Sequence, residues 1–203
     1  MLGRRRLGQC NEAELAVRRD PRMNADALFA LLAEARRHCG HTQYVVVGSL
    51  SVLGVSEVSA IPADMVLSID ADCYTLTDPG RALDLQDALG EGSVFHIANG
   101  IYLDPVNPKL PTLPDRWETR LIKLQRGDVV ALFLEPHDAA VSKLTRGEDR
   151  DFRWILAGAR ANILSLSTIA IRMKATSFLD DDEHAAAEEL LAKVKSALSR
   201  GKR

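Results

Sequence analysis

Two short stretches of the sequence carry side chains of the type and spacing that would hold a metal-complexed phosphate. Residues 45–54, "VVVGSLSVLG", form a buried apolar run that stops on Gly48 and Ser49. Residues 67–74, "LSIDADCY", form a second apolar run interrupted by Asp70 and Asp72. Residues two apart in a strand share a face, so these carboxylates should stand side by side with Ser68 in line. Two adjacent carboxylates repel each other and lose hydration, and a strand rarely keeps both unless a cation or a proton sits between them. Oxygen donors of this kind suit a hard divalent ion such as Mg²⁺ (or Mn²⁺), which keeps some of its water and also ligates substrate phosphates. Gly48 would let a phosphate approach the backbone. Ser49 offers a hydroxyl and an amide at a helix start, where anions bind favourably. Alone, Gly-Ser is an ordinary turn and Asp-x-Asp an ordinary exposed edge. In this order, each at the end of an apolar run, they outline a site for a nucleoside triphosphate and its metal.

Such a site needs rigid elements around it. Residues 24–40 read as a helix capped by Asn24, with a stripe of Leu28, Leu31, Leu32 and Ala35, ended by Gly40. The apolar run from Gln43 reads as a central strand, followed by a short helix beginning at Ser49. Residues 57–64 read as a loop, 65–76 as the strand carrying the two acids, and 79–90 as a helix. A strand is expected over 95–106, ended by a proline-rich loop, with two more strands at 119–125 and 128–135 around the 126–128 turn. Beyond residue 135 the spacing becomes helical. Asp138 is placed to cap the first of these helices, and the acids at 180–183 to open the last. The expected class is therefore α+β: a mixed α/β sheet flanked by helices, with a helical C-terminal third. Its parts would be a lead-in at 1–23, a core at 24–135 and helices at 136–203.

The 46% apolar share of the 203 residues allows a substantial core and argues against general disorder. The net charge of -2 argues against a bulk nucleic-acid coat. Cys10, Cys39 and Cys73 form neither a disulfide framework nor a zinc pattern, so a reducing cytoplasm is expected. No apolar run reaches the roughly 18 residues of a membrane span, so no membrane association is expected. The basic start lacks the apolar core of a signal peptide.

From residue 43 to 154 the chain resembles nucleotidyltransferase-fold proteins related to toxins of bacterial abortive-infection and toxin–antitoxin systems. The likeness rests on the two stretches above, on "ANGIYLDPV", on "LPDRWETRL" and most of all on "LEPHDAAVSKLTRGEDRDF". It implies a small nucleotidyltransferase sheet, with Gly48 and Ser49 at a triphosphate and Asp70 and Asp72 on metal. Asp104 is the nearest candidate for the third carboxylate that the fold usually carries. The resemblance also implies that Lys143 lies near the phosphates, and that Asp151 orients that lysine or assists the acceptor. The chain departs from the family pattern in a longer gap between Ser49 and Asp70. It has Leu67 and Ser68 where an arginine often precedes the metal strand, and Glu148 where a basic residue often follows the helix glycine.

Two functions are then in view. One is transfer of a nucleotide from a nucleoside triphosphate to an RNA or protein acceptor, in the toxin of a pair whose antitoxin is a second protein. The other is a catalytically degenerate module that binds a nucleotide or a protein partner. A third acid meeting Asp70 and Asp72 in space would favour the first.

Overall fold

A computed structural model of the chain describes residues 23–55 and 61–200. The expected lead-in, with Cys10, therefore lies outside the described residues except for Met23, and so does part of the 57–64 loop. Helix α1 (Ala25–Cys39) begins where the Asn24 side chain accepts from the Ala27 amide, and it buries Leu28, Leu31, Leu32 and Ala35. Strands β1 (Gln43–Val46), β2 (Asp70–Thr75), β3 (Tyr102–Pro105), β4 (Ile122–Arg126) and β5 (Val129–Phe133) form a five-stranded sheet in the order β3-β2-β1-β5-β4. It is mixed: β1 runs antiparallel to β2 and parallel to β5, β2 runs parallel to β3, and β4 and β5 form a hairpin.

The alternation of side chains sends each strand to two cores. Tyr44, Val46, Ala71, Cys73, Leu103 and Phe133 pack on the α1 side. Val45, Val47, Tyr74 and Leu134 pack against the C-terminal helices. Those helices are α4 (Pro136–Arg146), α5 (Asp149–Arg160), α6 (Leu166–Lys174) and α7 (Asp181–Arg200). Trp154 on α5 is buried among them.

Three local expectations change. Residues 95–106 are not one strand: α3 (Val94–Asn99) occupies the first half, and only Tyr102–Pro105 pairs. Ser93 accepts from the His96 amide and starts the helix, and Gly100 stops it. Residues 65–76 pair only from Asp70, because Ala63–Met65 form a single 3-10 turn and the Met65 carbonyl is taken by the Trp154 indole N–H at 3.1 Å. The helix expected at 79–90 is a 3-10 segment, Pro79–Leu85, followed by the one-turn α2 (Gln86–Leu89).

Asp138 is not the cap of α4. The cap is Glu135, which accepts from the amides of His137 and Asp138. Asp138 lies on the inner face of the helix, fully buried. The Arg120 guanidinium donates to it at 2.7 and 3.1 Å, and Arg172 pairs with it at 3.2 Å. Arg120 also donates to the Asp115 carbonyl. The cluster thereby ties the loop before β4 to α4 and α6. Removing one member of a buried charge cluster strands the rest, although both arginines here can still reach water. Asp138→Ala is therefore expected to cost about 3 kcal/mol, measured as a shift in the urea midpoint at unchanged slope. A shift worth under about 1 kcal/mol would make the cluster an ordinary surface pair.

Candidate functional site

Strand β1 runs out at Val46, and the chain then enters a 3-10 helix, Gly48–Gly54. The Val47 amide still donates to the Asp72 carbonyl at 2.9 Å, which keeps this turn against β2. Gly48 has φ +65, and a Cβ there would lie 2.0 Å from Asp72 Oδ2. The turn and the carboxylate are therefore in direct apposition, and only glycine leaves the space between them. The Trp154 indole donates to the Ser49 carbonyl at 3.2 Å as well as to Met65, and so pins the turn from the helical side.

Asp72 lies in register with Asp104 on the neighbouring parallel strand. Asp70, Asp72 and Asp104 each offer an oxygen, and these oxygens lie within 4.8 Å of one another. All three are half-buried. Ser68 donates to Asp70 Oδ1 at 2.7 Å. The crowding has an electrostatic cost. Burial, then Asp70 and Asp104, push the Asp72 carboxyl up to about 7. Burial, then Asp70, raises Asp104 as well. Lys143 and Arg146 offset part of this at Asp72, and three crowded oxygen donors at this separation are the donor set that a hard divalent cation takes. The residues present fit such an ion.

The cationic side of the site comes from α4 and α5. Along an unbroken helix Asp151, eight residues on, would sit about two turns from Lys143. Instead the chain breaks at Gly147, in the left-handed conformation, and α5 folds back. The break brings Lys143 Nζ to 3.3 Å from Asp151 Oδ1 and 2.9 Å from Ser49 Oγ. Lys143 is buried and lies over the Trp154 ring at 4.9 Å. Burial lowers its ammonium pKa, with Asp151 opposing the effect. Arg146 grips Asp151 with two hydrogen bonds, at 2.8 and 2.5 Å. Burial alone would raise the Asp151 carboxyl, but the Arg146 fork and Lys143 outweigh it and hold the group below the usual range.

The sequence-predicted residues thus fall into two linked groups. Asp70, Asp72 and Asp104 meet on the sheet. Ser49, Lys143 and Asp151 form a hydrogen-bonded chain beside them. Asp151 is held by Lys143 and Arg146 and is not a member of the three-acid cluster. Gly48 and Asp72 share with Lys143 and Arg146 a cavity of about 410 Å³ between the sheet and α4. Asp70 and Ser49 line a second, smaller cavity of about 240 Å³ together with Arg150 and Arg153 of α5. Arg146 was not singled out from the sequence. Its position three residues after Lys143, on the same helix face, was the signal available. The two backbone acceptors of the Trp154 indole, Ser49 and Met65, lie far away in sequence.

Among the described residues no helix is long and apolar enough to cross a membrane. A family model described as a nucleotidyltransferase of unknown function, DUF6036, matches residues 26–200. No curated protein and no solved structure gives a match.

Proposed function

The chain belongs to the DUF6036 nucleotidyltransferases, and from that premise we propose that it transfers a nucleotide from a nucleoside triphosphate to a hydroxyl of an RNA or protein acceptor, with a divalent metal, the acceptor oxygen bonding the α-phosphorus as the hydroxyl proton and pyrophosphate leave. The observation that carries this reading is the meeting of Asp70, Asp72 and Asp104 directly against the Gly48–Ser49 turn. A third acid at the cluster favours transfer over a module that only binds nucleotide.

Asp70, Asp72 and Asp104 would hold Mg²⁺ or Mn²⁺, which when bound supplies Lewis-acid charge at the reacting phosphorus and lowers the pKa of an attacking hydroxyl. Gly48 leaves room for the Asp72 carboxylate against the turn, and it lines the cavity in which the phosphates would lie. The Ser49 hydroxyl and the neighbouring amides orient the triphosphate. Lys143 and Arg146 add the positive charge that a polyphosphate needs, and Asp151 positions both cations. Of the two cavities, the larger suits a nucleotide by its size. The smaller, which Asp70 lines with Arg150 and Arg153, suits the approach of an acceptor. We further read the protein as the toxin of a cytoplasmic toxin–antitoxin pair, on the strength of the sequence resemblance.

The test is incubation with each labelled nucleoside triphosphate and Mg²⁺ or Mn²⁺, in the presence of total RNA and lysate protein. A labelled acceptor that disappears on chelation is the expected result. Nucleotide binding without any labelled acceptor would return the protein to a binding role. The toxin reading requires in addition that expression arrests growth and that Asp70→Ala with Asp72→Ala relieves the arrest.

Lys143 separates charge from packing. Lys143→Met keeps the apolar stem and loses the ammonium, so nucleotide affinity should fall at least about tenfold, the weight of a hydrogen bond to a charged group. Lys143→Arg should recover part of it, since the charge persists in a different shape. Asp151→Asn should fall between the two. Full affinity in Lys143→Met, measured by calorimetric titration of folded protein, would make Lys143 a packing residue.

A further inference from the structure

The larger cavity has a second end, and its chemistry differs from the first. Along one side run Ala139, Ser142, Lys143 and Arg146 of α4. Their spacing of three, four and seven places them on one helix face, over about 10 Å of axis. Val47, Val106, Pro111 and Leu134 supply apolar wall. Thr112, from the proline-rich loop, and Glu183, from the first turn of α7, complete the lining.

Glu183 is fixed in place. Thr112 Oγ1 donates to its Oε1 at 2.8 Å, and the Leu179 amide donates to its Oε2 at 2.6 Å. Its own amide is held by Asp180 Oδ1 at 2.8 Å. An ionised carboxylate only accepts, and its two oxygens offer about four lone-pair directions. Thr112 and Leu179 occupy one on each oxygen, so each oxygen retains acceptor capacity.

We propose that Glu183 reads the nucleoside, selecting a triphosphate that presents a pair of adjacent hydrogen-bond donors to its carboxylate. This rests on the nucleotidyltransferase reading above. A negative wall at Glu183 repels phosphates, and Lys143 and Arg146 attract them, so the triphosphate lies toward Gly48 and Asp72 and the nucleoside toward Glu183. Two parts of a nucleotide carry paired donors: the N1–H and N2 amino group of guanine, and the 2′,3′-diol of ribose. Adenine, whose single amino group stands beside a ring acceptor, does not match a bidentate acceptor.

The experiment measures affinity, with Mg²⁺, for GTP, ITP, ATP and 2′-deoxy-GTP in the wild-type chain, in Glu183→Gln and in Thr112→Val. ITP lacks the N2 amino group, and 2′-deoxy-GTP lacks half of the diol. If the base supplies the donors, ITP and ATP should bind at least tenfold more weakly than GTP. If the sugar supplies them, ATP and GTP should bind alike and 2′-deoxy-GTP at least tenfold more weakly. In either case Glu183→Gln, which keeps the shape of the side chain, should reduce the discrimination to within about twofold. Thr112→Val leaves the charge and unlocks the carboxylate, and should weaken the discrimination partway. Equal affinity for all four ligands in the wild type, or full discrimination retained in Glu183→Gln, overturns the assignment and leaves the nucleotidyltransferase reading intact. Failure of the wild type to bind any of the four overturns the assignment, and failure to bind CTP and UTP as well with Mg²⁺ overturns the nucleotidyltransferase reading too.

Discussion

Asp70→Ala combined with Asp72→Ala is expected to abolish metal-dependent nucleotide binding and to lower transfer by about a thousandfold or more, since the phosphoryl group would lose its charge stabilisation. The same substitutions should leave the fold intact and stabilise the metal-free protein. The reason is the proton balance at Asp72. Unfolded, its carboxyl titrates near 3.9; folded and metal-free, burial and its two acidic neighbours hold it up to about 7. Below about pH 4 the group is protonated in both states and contributes no difference. Between about pH 4 and 7 the unfolded chain has released the proton and the folded chain retains it, so stability falls as pH rises. Above about 7 the loss is complete, up to about 4 kcal/mol. Thermal melts of the metal-free protein from pH 4 to 8 should show this decline. Asp72→Asn should flatten it, Mg²⁺ should oppose it at pH 8, and Mg²⁺ binding at about pH 6, where Asp72 still holds its proton, should release that proton. A melting curve for Asp72→Asn that parallels the wild type across this range would refute the electrostatic account.

Gly48→Ala should nearly match that loss of function by a different route. The new Cβ would stand 2.0 Å from Asp72 Oδ2, and the backbone would be held at φ +65. The left-handed conformation costs a non-glycine residue about 1–2 kcal/mol. The steric conflict cannot be met by strain alone, because it requires the carboxylate to move out of the acidic cluster. Gly40→Ala is the matched control: its φ is +75, but a Cβ there meets nothing within 4 Å. Both variants should lose stability, and only Gly48→Ala should lose Mg²⁺-dependent nucleotide affinity, by about a hundredfold. Similar binding losses in the two would mean that backbone strain, and not contact with Asp72, explains the requirement for glycine.

The class of the fold was legible because the apolar runs around Val45, Cys73 and Val130 are short, continuous and bounded by turn residues. The Gly48–Ser49 and Asp70-x-Asp72 pairs were legible because each interrupts such a run with chemistry that a core does not need. The helix at Val94–Asn99 was missed, although Ser93 and Gly100 are capping residues in plain sight, because Ile101 and Leu103 continue the alternation of a strand. The return of Asp151 to Lys143 was not legible in periodicity. One left-handed glycine redirects the helix, and periodic spacing on either side of it looks the same whether the chain continues or turns. Glu183 and Thr112 were invisible for a more general reason. Residues 71 apart in sequence meet only through tertiary packing, and a threonine and a glutamate carry no signal of their own.

The break at Gly147 also bears on when the protein becomes competent during its synthesis. Every carboxylate of the acidic cluster, together with Gly48 and Ser49, is made before residue 106. Lys143, Arg146 and Asp151 follow the sheet, and Glu183 comes later still. Arg120 waits for its partner Asp138, so the loop that carries Thr112 gains its anchor only when α4 arrives. A ribosome that stalls within the sheet, or a protease that cuts after β5, releases a chain with the acids and no counter-charge. On the proposed reading such partial products would be silent, since only chains that extend through α5 carry both the acids and their counter-charge.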